Sequence, residues 1–133
     1  MTIKPHLITV PQVNSKSGTL SFMEIDGTLP FEVKQLYWIY DIKGEAHRGN
    51  HAHINSDRVI ACVSGRIDIT IESIQGEQYE FELDHPSKVL FYPRLYWIKL
   101  KFHNGALAVV GASDVFKNDI TVKDFEEFKK LTV

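Results

Sequence analysis

Two histidines separated by one residue, His51 and His53 in Arg48-Gly49-Asn50-His51-Ala52-His53, are the side chains of this sequence best placed to do chemistry. They stand just upstream of an apolar run, Val59-Ile60-Ala61-Cys62-Val63. On an extended strand, residues i and i+2 share a face, so the two imidazoles would stand side by side. Histidine titrates near neutrality and is also the commonest metal ligand, so such a pair can move protons or hold a metal ion. Proton transfer by a positioned side chain contributes about 10²–10⁴ in rate. A catalytic metal site usually needs three protein ligands and an open position, and Asp57 could complete a two-His, one-carboxylate set. The plainer alternative is a pair of satisfied polar residues at a sheet edge.

The segments that must position this pair are strands. Arg66-Ile67-Asp68-Ile69-Thr70-Ile71-Glu72 alternates strictly, isoleucines on one face and polar residues on the other. Tyr79-Glu80-Phe81-Glu82-Leu83 repeats the pattern after a turn around Gln75-Gly76, which predicts an antiparallel hairpin. Trp97 to Phe102 alternates again and is followed by Asn104-Gly105, a hairpin turn pair because both residues tolerate positive φ. Ala106 to Val110 reads as a strand buried on both faces, and Thr19 to Glu24 and Gln35 to Tyr40 are also strand-like. Only the carboxyl end has a helical pattern. There Thr121 can cap, Asp124 occupies the capping-box position, and Val122, Phe125, Phe128 and Leu131 mark one face. Many short strands followed by one helix predict an all-β fold, an antiparallel barrel or jelly roll with a short C-terminal helix, in a single domain over 1–133.

The totals exclude several classes of function. With 15 basic and 17 acidic residues, a net charge of −2 and no basic run, the chain lacks the concentrated cationic surface that nonspecific nucleic-acid binding needs. No apolar stretch approaches the ~20 residues of a membrane span, and Met1-Thr2-Ile3-Lys4-Pro5 lacks a signal-peptide apolar region. The single cysteine, Cys62, cannot form an internal disulfide, and it reads as a small core residue. A cytoplasmic protein that binds neither nucleic acid nor membrane is the expectation.

The layout around the histidines resembles a cupin, a small double-sheeted antiparallel barrel of jelly-roll type, whose first motif places His-x-His and a carboxylate between two glycines. Here these are Gly44, His51, His53, Asp57 and Gly65, with Asp in place of Glu. The second cupin motif resembles Pro-x-Gly-x-x-His. In this chain it reads Pro93-Arg94-Leu95-Tyr96-Trp97-Ile98, with Leu95 at the glycine position and Ile98 where the histidine would be. With isoleucine on the opposite wall, the third metal ligand is missing, and the pair reads as a metal-free proton-transfer couple with no cofactor.

More specifically, the chain resembles the dTDP-4-keto-6-deoxyglucose 3,4-ketoisomerases, WxcM-like cupins of deoxysugar biosynthesis. The resemblance runs through Gly18-Thr19-Leu20, Pro30 to Lys34, Tyr40 to Gly44, the Arg-Gly-x-His-Ala-His box, Val63-Ser64-Gly65, Trp97, Ala112-Ser113-Asp114 and the helix Asp124 to Phe128. It implies 3,4-ketoisomerisation of a dTDP-linked 4-keto-6-deoxyhexose for cell-surface polysaccharide, in a homodimer. His51 and His53 would be the acid/base groups, and Arg48, Tyr40, Arg58 and Trp97 would meet the substrate. For Arg48 the alternative is a surface ion pair; for Tyr40 and Trp97 it is a place in the core.

Departures accompany the matches. The family pattern Trp-His-Glu is Trp97-Ile98-Lys99 here, Glu-Gln is Asp57-Arg58, the tyrosines after Ala-Ser-Asp are Val115 and Phe116, and the aromatic residue inside the box is Asn50. By strand parity Ile98 shares a face with Leu100 and Phe102, so that wall is apolar, and a replacement acid would have to come from elsewhere, with His47, His103 and Tyr96 as candidates. Besides the isomerase, two readings therefore stand: a nucleotide-sugar-binding cupin that has lost catalysis, and a metal-dependent cupin.

Overall fold

The computed structural model describes residues 3–132. Its strands are β1 (His6–Thr9), β2 (Gln12–Ser15), β3 (Gly18–Ser21), β4 (Gln35–Ile39), β5 (Ala46–His53), β6 (Arg58–Ser64), β7 (Ile67–Ser73), β8 (Gln78–Leu83), β9 (Lys88–Tyr92), β10 (Tyr96–Phe102), β11 (Leu107–Ala112) and β12 (Thr121–Val122), followed by one helix, α1 (Phe125–Lys129). Two five-stranded sheets form, ordered β1-β9-β6-β11-β4 and β12-β5-β10-β7-β8, and β2 and β3 pair as a separate ribbon. This is the antiparallel barrel expected from the alternation, double-sheeted and of the cupin type that the resemblance implies.

The core lies between the two sheets. Ile67, Ile69 and Ile71 of β7 and Ile98, Leu100 and Phe102 of β10 are buried from one side, and Ile60, Cys62, Leu90, Ala108 and Val110 from the other. The strict alternation of β7 is thus one face solvated and one face closed. β7 and β8 pair as the predicted hairpin, with Ile71 opposite Tyr79 and Ile67 opposite Leu83.

Two local readings are corrected. Asn104-Gly105 does not close a hairpin: β10 pairs with β5 and β7, whereas β11 pairs with β4 and β6, so this turn carries the chain from one sheet to the other. Gly105 has φ +77° but Asn104 does not share the positive φ, and turn residues do not specify which strands pair. Thr121 does not cap a helix. It lies in β12, opposite His53, and α1 is capped by Asp124, whose side chain accepts from the Glu126 and Glu127 N–H groups. Thr121 is β-branched and finds an open edge of β5 to pair with, which outweighs its capping preference.

A bulge in β5 sets the histidines. Ile98 pairs with His51 but Lys99 pairs with Gly49, leaving Asn50 as an extra residue on β5. Gly49 and Asn50 take φ of +84° and +62°. Without this insertion Ala46 and His51 would face opposite sides; with it, Ala46 packs against the core and His51 still faces inward beside Ile98. A Cβ at Gly49 would stand 2.8 Å from the Ile98 carbonyl oxygen, so glycine is demanded both by conformation and by the neighbouring backbone. We predict that Gly49→Ala lowers stability by about 2 kcal/mol or more, the sum of left-handed strain and backbone displacement, read from the urea unfolding midpoint.

Candidate active site

His51 and His53 point into one end of the barrel from the last residues of β5. His53 is buried and His51 half-buried. Their Nε2 atoms are 3.2 Å apart, and the rings meet edge to face at 79°. The Nδ1 of His53 lies 3.0 Å from Asp119 Oδ1, and the other carboxylate oxygen, Oδ2, accepts from Arg58 Nη2 at 2.9 Å. Arg58 is only 2% exposed. Its Nη1 donates to Ser56 Oγ, Tyr37 and Tyr92 stand beside the guanidinium, and its Nε has no partner among the described residues. A chain of polar groups therefore runs His51, His53, Asp119, Arg58.

The backbone explains why these groups meet. Arg58 opens β6 between Tyr92 and Ala112, on the same face as Ile60, so its side chain enters the barrel. Asp119 follows a single 3-10 turn at Phe116–Asn118, and its N–H bonds to the Phe116 carbonyl. Asp114 starts that turn, its Oδ1 accepting from the Val115 N–H and from Asn118 Nδ2. Asn55 clamps the far side, donating to the Asn118 carbonyl at 2.7 Å and accepting from the Ile120 N–H at 3.0 Å. Ser113 and Asp57 bind each other's backbone, and β12 pairs directly with His53. The Ala112-Ser113-Asp114 segment is thus the scaffold that delivers Asp119, which no local pattern had singled out.

Burial keeps the histidines neutral. His53 is pushed down to about 4 from its ordinary 6.5, first by desolvation and then by the Arg58 charge, against the pull of Asp119. His51 is lowered as well, again chiefly by desolvation. At neutral pH both imidazoles are free bases, and the contact of His53 with Asp119 is a hydrogen bond to a carboxylate instead of an ion pair.

The other residues singled out by sequence take different places. Arg48 lies opposite Leu100, is exposed, and lines a surface cavity of about 810 Å³ with Lys99, Lys101 and Asp68. Tyr40 is exposed at the end of β4 in line with Trp38, whereas Tyr37 of that strand faces Arg58. Trp97 is buried on the face of β10 away from Ile98, against Ala52, Phe125 and Phe128, with its indole N–H directed to Asn50 Oδ1. Of these four, the structure joins only Arg58 to the histidine pair. The candidate replacement acids stand apart: His103 bonds to Asp68 at 2.8 Å, His47 is exposed, and Tyr96 packs on Tyr79. Asp57 is turned to Arg94, accepting from its Nε, its Nη2 and its backbone N–H. Asp119 takes the nitrogen of His53 remote from His51, so the three do not converge, and among the described residues no group of three potential metal donors is assembled. No helix among them is long and apolar enough to cross a membrane.

Comparison with known proteins gives consistent results. The family model described as FdtA, WxcM-like, C-terminal, matches residues 3–133. A TDP-4-oxo-6-deoxy-alpha-D-glucose-3,4-oxoisomerase of Aneurinibacillus thermoaerophilus is 29% identical over 125 residues, covering 93% of this chain and 89% of the relative. The TDP-quinovose 3,4-ketoisomerase WlaRB of Campylobacter jejuni superposes with a TM-score of 0.89 at 27% identity, covering 96% of this chain and 98% of that one. The sugar 3,4-ketoisomerase QdtA of Thermoanaerobacterium thermosaccharolyticum, solved with TDP, superposes at 0.85 with 26% identity over 97% and 94% of the two chains.

The lowered His53 pKa makes stability pH-dependent. Because the unfolded chain takes up a proton near 6.5 and the folded one near 4, this contribution is intact above neutrality and lost as the pH falls between those values. From pH 7 to pH 5 the loss from His53 is about 2 kcal/mol. Urea unfolding at the two pH values is expected to show this difference in the native chain and a smaller one in His53→Gln.

Proposed function

We propose, because the chain belongs to the FdtA family (WxcM-like, C-terminal), that it is an isomerase that converts a dTDP-linked 4-keto-6-deoxyhexose to its 3-keto isomer. The observation that carries this reading is the buried, neutral His51–His53 pair, with Nε2 atoms 3.2 Å apart, at the inner end of the barrel. Relatives bearing the same fold are 3,4-ketoisomerases of TDP-sugars.

The reaction needs only proton movement. A base removes the C3 proton, the C–H electron pair forms the C3=C4 double bond, and the C4 oxygen takes a proton to give an enediol. Return of a proton to C4, with loss of the C3 hydroxyl proton, leaves a ketone at C3. A free-base imidazole accepts the first proton, and its neighbour within hydrogen-bond reach can share it and return it, so His51 and His53 together are assigned acid and base. A histidine whose pKa is lowered stays unprotonated, and able to act as base, at pH values below 6.5. No metal or organic cofactor is needed for this step, since the ketone itself acidifies the C3 proton. Arg48, exposed and without a carboxylate partner among the described residues, is assigned to the diphosphate, a bidentate task. Arg58 is assigned to the inner wall beside the histidine pair, where it bonds to Asp119.

The wider assignments rest on the same reading. The product would supply a deoxysugar for lipopolysaccharide or related cell-surface polysaccharide, made in the cytoplasm by a single cupin domain. A homodimer is proposed. Every residue of the β2–β3 ribbon is exposed, and an isolated two-stranded ribbon is at best marginally stable in water. Leu36, Trp38 and Tyr40 also leave an apolar stripe on the edge strand β4.

Ile98, sealed in the core beside His51, favours a second reading in which the chain binds the nucleotide sugar without turnover. Incubation with dTDP-4-keto-6-deoxyglucose in deuterium oxide separates the two. The isomerase reading predicts a 3-keto product labelled at C4 and a loss of about 10²–10⁴-fold in kcat for His51→Gln or His53→Gln. Binding of the nucleotide sugar with neither label nor product at high enzyme concentration would leave the second reading in its place. For the dimer, analytical ultracentrifugation is expected to give twice the chain mass, and Trp38→Glu to shift it toward the monomer.

A further inference from the structure

We infer that Asp119, braced by Arg58, is a positioning residue that holds His53 in its Nδ1–H tautomer and so leaves the Nε2 lone pair aimed at His51. The inference deepens the proposed function in its kinetic consequence alone; the tautomer follows from geometry whatever the substrate.

A neutral imidazole carries one N–H, and the surroundings of His53 decide which nitrogen holds it. Its Nδ1 faces two groups of opposite demand: the carboxylate oxygen of Asp119 at 3.0 Å, which can only accept, and the Nη2 of Arg58 at 3.3 Å, which can only donate. With the proton on Nδ1, it is donated to Asp119 across the shorter distance, while Arg58 Nη2 directs one of its two hydrogens to Asp119 Oδ2 at 2.9 Å. With the proton on Nε2, a lone pair would face a carboxylate at 3.0 Å in a place where water cannot intervene. Asp119 and Arg58 side chains are only 12% and 2% exposed. The first arrangement satisfies the shorter, charge-assisted contact with the carboxylate, and the second leaves a repulsion there.

The carboxylate cannot turn away to relieve it. Asp119 is fixed on one side by the 3-10 turn and on the other by the two hydrogen bonds of Asn55, while its outer oxygen is held by a guanidinium that is itself bonded to Ser56. The hydrogen bond of the carboxylate to the dyad is made through His53. It touches the nitrogen remote from the dyad contact and stands outside the proton path between the two Nε2 atoms. Ionic support from Asp119 also favours the imidazolium that His53 becomes when it takes a proton.

The test is a two-bond ¹H–¹⁵N correlation spectrum of uniformly ¹⁵N-labelled protein at pH 7.5, with His53→Gln used to assign the His53 signals. The expected pattern for His53 is a pyrrole-type Nδ1 and a pyridine-type Nε2. In Asp119→Asn the amide oxygen turns to Arg58 and its NH₂ group to His53, so the pattern is expected to reverse. With substrate, kcat of that variant is expected to fall about 10²–10⁴-fold while KM changes little, and Asp119→Glu to recover part of the loss. A wild-type His53 protonated on Nε2 overturns the inference without any variant, as does an unchanged tautomer in folded Asp119→Asn. A variant that loses kcat and KM alike, with its tautomer unchanged, also overturns it. If wild type shows the Nδ1–H pattern and Asp119→Asn reverses it, but the wild-type protein turns over no ketosugar, the proposed function falls and the positioning role stands.

Discussion

A guanidinium inside a barrel must be neutralised, and the arrangement of this site follows from that requirement at Arg58. Moving a charge of that size out of water carries an effective penalty of several kcal/mol, which a well-aligned partner has to offset. The partner is Asp119, and once its outer oxygen is taken by Arg58 its inner oxygen has one place to go, the Nδ1 of His53. The same buried cation adds to the desolvation that lowers the affinity of both histidines for protons. One ion pair thus fixes how His53 is turned and reinforces the neutrality that burial imposes.

The apolar wall opposite works in the same direction. Ile98, the cross-strand partner of His51, is fully buried, and desolvation is the largest cause of the lowered pKa values of both histidines. A polar group at Ile98 would solvate the imidazoles and raise their basicity. The isoleucine is therefore part of a site tuned toward neutral bases, built from burial on one wall and a fixed charge on the other.

How much of this was legible in the sequence depends on the range of the interaction. Alternation in Ile67 to Glu72 and Tyr79 to Leu83 located strands correctly, because sidedness is a local property that the order of residues records. The i, i+2 spacing of His51 and His53 was legible for the same reason. The bulge at Asn50 was not, although the glycine before it was visible: a left-handed pair of residues is read from backbone angles, and Gly-Asn is equally at home in a turn. Asn104-Gly105 was read as a hairpin because turn chemistry is silent about which sheet the next strand joins. Asp119 lies 66 residues from His53, in a segment whose one conspicuous feature was the Ala-Ser-Asp motif upstream. Long-range partnership of that kind leaves no periodic mark, and Arg58 stood out as a departure from the family pattern and a substrate contact implied by the resemblance, not as the partner of an aspartate.

The pairing of β12 with the end of β5 has a consequence for how the site is attached to the barrel. The strands that build the two sheets apart from β12, namely β1 and β4 to β11, pair with one another without the segment that carries Asp119. Arg58 and His53 depend for their shared partner on that short segment, which the two-residue edge strand β12 and the side chain of Asn55 tie down. The container and the carboxylate that completes its site are thus held by separate sets of contacts.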